Sequence, residues 1–192
     1  MSGMIRRVVT GHDEHGKAIV ISDASAPFVH TVPMRPGYFS TDIFRTDQNP
    51  SPIAAHTAET TLGPRRQLPT KNGSVLRVNY FPPETDEIRG MDAQAATALF
   101  ASLGNQSGAT FEKSGRHPLM HRTETIDYAI VLSGEITMLL DDSEVTLKTG
   151  DILVQCGTNH AWVNRSKQPC TVAFILLDGE YDESLKTRIE SL

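Results

Sequence analysis

HRTETIDYAIVLSGEI, residues 121–136, sets an imidazole, His121, six residues ahead of a carboxylate, Asp127, on a run that ends at a Ser133-Gly134 turn. A second imidazole, His160, opens HAWVN at 160–164, with Trp162 and Asn164 two and four residues on. Strand side chains alternate faces. His121 would therefore share a face with Thr123, Asp127 with Ala129 and Val131, and His160 with Trp162 and Asn164. If those faces close on one cavity, two imidazoles and a carboxylate make a ligand set that suits Fe(II) and also accepts Zn, Mn or Ni. Open positions would remain for substrate and water. His121, Asp127 and His160 are thus the candidate metal ligands. Trp162, the only tryptophan, is the candidate aromatic wall for a substrate. Asn164 is a second candidate substrate contact, with fastening a turn as its other reading.

Such residues need a scaffold, and the pattern supplies one. From residue 110 onward the chain reads as short strands near 119–123, 127–132, 135–141, 144–148, 151–155, 160–164 and 170–177. Turn residues such as Asp141-Asp142-Ser143 and Thr149-Gly150 separate them. This regular spacing predicts an all-β antiparallel sandwich or barrel. Upstream, 5–22 reads as a hairpin, and 23–74 as proline-rich wrapping with strands at 38–45 and 28–32. Residues 73–84 read as one strand before Pro82-Pro83. MDAQAATALFASLG at 91–104 predicts a helix capped by Asp92 and ended by Gly104. Its apolar face, with Ala96, Leu99, Phe100 and Leu103, is expected against the sheet or a second subunit. Flooring a ligand cavity is the less favoured placement. The organisation read from the sequence is an N-terminal extension at 1–109, a barrel core at 110–178 and a C-terminal tail at 179–192.

Composition limits the partners. The 192 residues are 39% apolar and 21% charged, with a formal net charge of −5. No basic stripe suggests nucleic acid, and no apolar run suggests a membrane span or signal segment, so a cytoplasmic protein is expected. Cys156 and Cys170 read as reduced thiols, and Cys156 as a bystander lacking a partner base.

Gly115, His121, Thr123, Asp127 and Gly134 follow the first motif of the cupin family, with Thr in place of its second His and Asp in place of its Glu. Gly150-Asp151, Gln155-Cys156-Gly157, His160 and Asn164 follow the second, with Gln155 in place of Pro. Residues 110–178 therefore resemble cupins, which implies a double-stranded β-helix, a jelly-roll-like antiparallel barrel, here with an N-terminal extension and one short helix. The resemblance also implies a divalent metal ion and a homodimer that trades N-terminal strands. Thr123 reduces the usual four-ligand set to three, because a hydroxyl is a poor ligand for these metals. His117 or Glu124 could compensate, and Thr123, Glu124 and His117 are the candidate catalytic groups beside the metal. The competing arrangement is metal-free, with His121 bonded to Asp127 or Thr123. Arg77 would reach an anionic substrate only if the N-terminal half folds over the barrel mouth. The function expected first is a metal-dependent lyase, decarboxylase, dehydratase or cyclase acting on a small oxygenated acid or polyketide-like compound. An Fe(II) dioxygenase and a non-catalytic ligand-binding barrel are the alternatives.

Overall fold

The computed structural model describes residues 5–63 and 65–191. In chain order the strands are β1 (Arg6–His12), β2 (Ala18–Ser25), β3 (Phe28–Thr31), β4 (Phe39–Thr46) and β5 (Ser74–Phe81). The α-helices α1 (Asp86–Arg89), α2 (Ala93–Ser102) and α3 (Phe111–Ser114) follow, with a short 3₁₀ turn at Gln106–Gly108 between the last two. Then come β6 (Thr125–Ser133), β7 (Glu135–Leu139), β8 (Glu144–Lys148), β9 (Ile152–Cys156), β10 (Ala161–Val163), β11 (Cys170–Asp178) and α4 (Glu183–Glu190). Every strand pairing among the described residues is antiparallel.

β1 and β2 form the expected hairpin, closed by a turn in which Asp13 accepts from the backbone of His15 and Lys17, both at 2.9 Å. The main sheet has the order β3-β4-β5-β11-β6-β9, and a second sheet has the order β10-β7-β8. The N-terminal half therefore enters the main sheet directly: β5 lies between β4 and β11, with Val78 opposite Ala173. Proline-rich loops surround those strands, but the strands themselves are wall rather than wrapping.

Among the described residues, no hydrogen-bonded ladder joins the two sheets into a closed barrel. They meet through side chains instead. Trp162 on β10 meets Phe174 on β11 edge-on at 5.2 Å, and Ile136, Met138, Val131 and Val172 are buried in the same core. Burying a side chain of that size contributes about 1.5–3 kcal/mol.

Two expectations are corrected. Residues 119–123 do not form a strand. Pro118 and the bond from the Met120 N–H to the His117 carbonyl turn the chain there, leaving only isolated bridges from His121 to Ala109 and to His160. Helix α2 is capped by Asp92 as expected, its carboxylate accepting from the Ala95 N–H at 2.8 Å. Its face, however, carries Leu99, Phe100 and Leu103 to the cavity, so α2 is a floor of the site. The tail also holds α4, which buries none of its residues and so left no apolar stripe to read.

Candidate active site

Between the two sheets and α2 lies a cavity of about 80 Å³. His121, Asp127 and His160 all line it, together with Trp162 and Phe174 from the facing sheets. The inward face of β5 contributes Arg77, Asn79 and Phe81, the alternation expected of a strand. Arg35, Arg65 and Gln67 reach it from the loops on either side of β4.

The imidazoles are held as a pair. The backbones of His121 and His160 exchange hydrogen bonds of 2.8 and 2.9 Å, and their ring centroids stand 4.3 Å apart. His121 Nδ1 lies 3.0 Å from the Leu119 carbonyl, and His160 Nδ1 lies 2.9 Å from that of Thr158. A carbonyl only accepts, so His121 Nδ1 carries the proton. At His160 the Gln155 amide nitrogen also lies 3.1 Å from Nδ1, and the shorter contact to the Thr158 carbonyl places the proton there, so each Nε2 keeps its lone pair. Burial holds the His121 ring down to about 4. Burial, and then the neighbouring His121, hold His160 well below the usual imidazole range. Gln155, the residue in place of the motif's proline, steadies this turn: its amide donates to the Thr158 carbonyl at 3.2 Å and accepts from the Gly157 N–H at 2.9 Å.

Asp127 is the opposite case. It is buried, its Oδ1 has no hydrogen-bond partner, and burial raises its carboxyl to about 6 against smaller opposing effects of Thr125 and Arg77. Neither motif histidine bonds it, and neither bonds Thr123.

The remaining candidates sit elsewhere. Thr123 is buried with its hydroxyl 2.8 Å from that of Thr125, and it does not line the cavity. Glu124 is exposed and meets the Tyr181 N–H at 3.4 Å. His117 occupies a separate cleft, its Nε2 2.8 Å from Glu84 Oε1 and its Nδ1 accepting from the Leu119 N–H. Asn164 fastens a turn: its amide donates to the Phe81 and Gln168 carbonyls at 3.0 and 2.8 Å and accepts from the Ser166 N–H.

What the motif positions did not disclose is the cationic wall. Asp42 on β4, 1% exposed, receives Arg77 Nε at 2.9 Å and Arg45 Nε at 3.0 Å. Arg65 stands 3.8 Å away, also buried. Burial works against ionised Asp42, yet Arg77, Arg45 and Arg65 together hold its carboxyl below the ordinary range. Arg35 lies over the Tyr38 and Phe81 rings at 4.4 and 5.3 Å. Arg77 thus reaches the cavity because its strand belongs to the sheet, not because a flap folds over a mouth.

The resemblance implies a divalent metal ion, for which the cavity offers two imidazole donors. The two Nε2 lone pairs suit such an ion. Yet no group of three or more His, Cys, Asp or Glu side chains among the described residues is gathered closely enough to hold one. Asp127 lines the cavity without joining the pair, the Thr123 hydroxyl is engaged, and Glu124 and His117 point elsewhere. A catalytic transition-metal centre uses about three protein ligands, so this arrangement falls one short and does not fit.

Comparison with known proteins agrees with the fold. Residues 109–177 match the family model Cupin_2, described as a cupin domain. A 55-residue segment is 58% identical to phomopsin biosynthesis cluster protein C' of Diaporthe leptostromiformis and covers 28% of this chain. The match spans only 29% of that relative's own length. The cupin-domain-containing oxidoreductase fogC of Aspergillus ruber is 27% identical over 177 residues, covering 90% of this chain and 71% of the relative. A solved Cupin 2 conserved barrel domain protein from Salinispora arenicola superposes with a TM-score of 0.38 at 8% identity, covering 84% of this chain and 89% of the other. The motif residues, the antiparallel sheets and the family match together make residues 109–177 of this chain a cupin domain.

Proposed function

We propose that the protein is a cupin-type enzyme of small-molecule biosynthesis, catalysing a lyase-type step (decarboxylation, dehydration or cyclisation) by moving a proton within the cavity. The observation that carries this reading is Asp127: a buried carboxyl, unpartnered at Oδ1, in the same cavity as two neutral imidazoles. With its carboxyl near 6, both of its forms are populated close to neutrality. The protonated form can donate to a leaving or developing oxygen, and the ionised form can take a proton from carbon. The two Nε2 lone pairs accept hydrogen bonds from substrate hydroxyls, and Trp162 with Phe174 shields the reacting atoms from water. Kinship to a phomopsin cluster protein supports a biosynthetic setting.

A second reading, oxidoreductase chemistry on the same cavity, is favoured by the fogC alignment, which spans most of this chain. One experiment separates the two. Purified protein is incubated with a panel of small oxygenated acids, with and without oxygen and added Fe(II), and products are read by mass spectrometry. The lyase reading expects loss of CO2 or water under anaerobic conditions, slowed roughly 100-fold or more in Asp127→Asn. Turnover that requires oxygen and Fe(II) would establish the oxidoreductase. Ligand binding with no turnover in either arm would leave a binding protein.

A further inference from the structure

Resting on that reading of the cavity, we infer that the substrate is a hydroxylated carboxylic acid whose carboxylate is held by Arg65, with Asp42 and Arg77 as the frame that fixes this cation in the wall. Arg45, Arg65 and Arg77 share a single carboxylate, that of Asp42. Its Oδ1 is already occupied by Arg77 Nε at 2.9 Å and its Oδ2 by Arg45. Arg65, at 3.8 Å, is left over, and its side chain is only 5% exposed. Its Nε and Nη1 are buried without any hydrogen-bond partner, and it lines the cavity. Arg77, by contrast, is fully engaged, donating to the Arg66 and Gln67 carbonyls at 2.6 and 3.1 Å as well as to Asp42.

A buried guanidinium with idle N–H groups is unfavourable unless an anion completes it. The ligand is the missing anion. A carboxylate matches the planar fork of a guanidinium with two parallel bonds. Around it, three more buried atoms await donors: Asn79 Oδ1, Gln67 Oε1 and Asp127 Oδ1, all on residues lining the same cavity. Hydroxyl groups on the ligand would satisfy them. The aromatic and aliphatic walls leave the rest of the molecule to be compact and apolar.

Benzoate serves as the probe, with benzamide as its uncharged counterpart. Trp162 is the only tryptophan and lines the cavity, so its fluorescence reports occupancy, checked by calorimetry. We expect benzoate to bind at millimolar concentration or below and at least tenfold more tightly than benzamide. Arg65→Gln should erase that preference, and Arg6→Gln on the exposed hairpin should leave it intact. Because the substitution removes a buried cation that has no hydrogen-bond partner and only a third share of the Asp42 carboxylate, free Arg65→Gln should melt at or above the wild-type temperature and lose the benzoate-induced rise in Tm. Equal binding of the two probes, no benzoate binding, an unchanged preference in Arg65→Gln, or a marked fall in its Tm would each overturn the inference. The acid–base reading fails separately. If Asp127→Asn turns over normally while benzoate selectivity persists, that reading is lost and the carboxylate site stands.

Discussion

Replacing Asp127 by asparagine should make the protein more stable at neutral pH and not at acid pH. The carboxyl lies near 3.8 in the unfolded chain and is raised to about 6 by burial in the fold. Between those values the folded state keeps a proton that the unfolded state has released, so stability falls as pH rises through this window. At about 1.4 kcal/mol per pH unit over roughly two units, the wild type loses about 3 kcal/mol between pH 4 and pH 7 on account of this one group. Asparagine has no charge to bury and shows no such loss. Other groups change stability over the same range. Burial that holds His121 near 4 works in the opposite direction, disfavouring the fold as pH drops below 6.5. Those contributions are common to both proteins, and the asparagine amide adds only a constant offset. The quantity to measure is therefore the difference in unfolding free energy between Asp127→Asn and wild type, from urea titrations at half-unit steps from pH 4 to pH 8. It should grow in favour of the variant by about 3 kcal/mol, with its midpoint between pH 4 and pH 6. A flat difference, or one that grows in favour of the wild type, would show that Asp127 ionises normally and would remove the basis of the proposed acid.

The imidazole pair should appear in nitrogen-correlated NMR as two Nδ1–H tautomers, His121 titrating near 4 and His160 below the usual imidazole range, and a ring titrating near 6.5 would contradict the arrangement. Asn164→Ala should lower stability by about 2–4 kcal/mol, since it leaves the Phe81 and Gln168 carbonyls without their donor. Benzoate affinity should be unaffected, and a change in it would return Asn164 to the ligand site. Titration with Zn²⁺ or Mn²⁺ should give no saturable 1:1 binding in calorimetry, because the third donor is missing, and tight stoichiometric binding would show that Asp127 closes on the pair.

How much of this could be read from the sequence follows the range of the forces involved. Alternation within single strands is local, and so β5, β6, β9 and β11 were legible, as was the face that Asp127 shares with Ala129 and Val131. The capped apolar run of α2 was legible for the same reason, but what lay beneath it was not, because that depends on which elements close the far side of the cavity. Sheet order is likewise non-local: β5 pairs with β11 across some ninety residues of intervening chain, and the proline-rich loops between strands concealed that the N-terminal half is wall. The segment at 119–123 failed as a strand because the turn at Pro118, closed by the Met120 N–H on the His117 carbonyl, runs into it. The cationic wall had left a partial signal. Arg77 and Asn79 share a strand face with Val75 and Phe81, and a charged residue on the apolar face of a strand announces a buried ion pair or a site. Its partner Asp42 and the unpaired Arg65 lie in other segments, and nothing short of the fold joins them.

Arg65 and Asp127 also ought to affect one another, which gives the two proposals a common test. Arg77 already draws the Asp127 carboxyl downward, and Arg77, Arg65 and Arg35 all line the cavity that Asp127 enters, opposite two imidazoles that are neutral near pH 7. A carboxylate seated on Arg65 cancels part of that positive field and adds a negative charge near a second carboxyl. Both effects disfavour ionised Asp127. Ligand binding should therefore raise its carboxyl above the value of about 6 in the free protein, so that the group arrives at the reaction as an acid. Following the Asp127 carboxyl carbon by NMR through a pH titration, with and without saturating benzoate, measures this directly. An upward shift in wild type that disappears in Arg65→Gln shows that the anchor and the acid act on one bound molecule. If the Asp127 titration is unmoved by bound benzoate, the two groups do not share a ligand, and the cavity must be read as two separate sites.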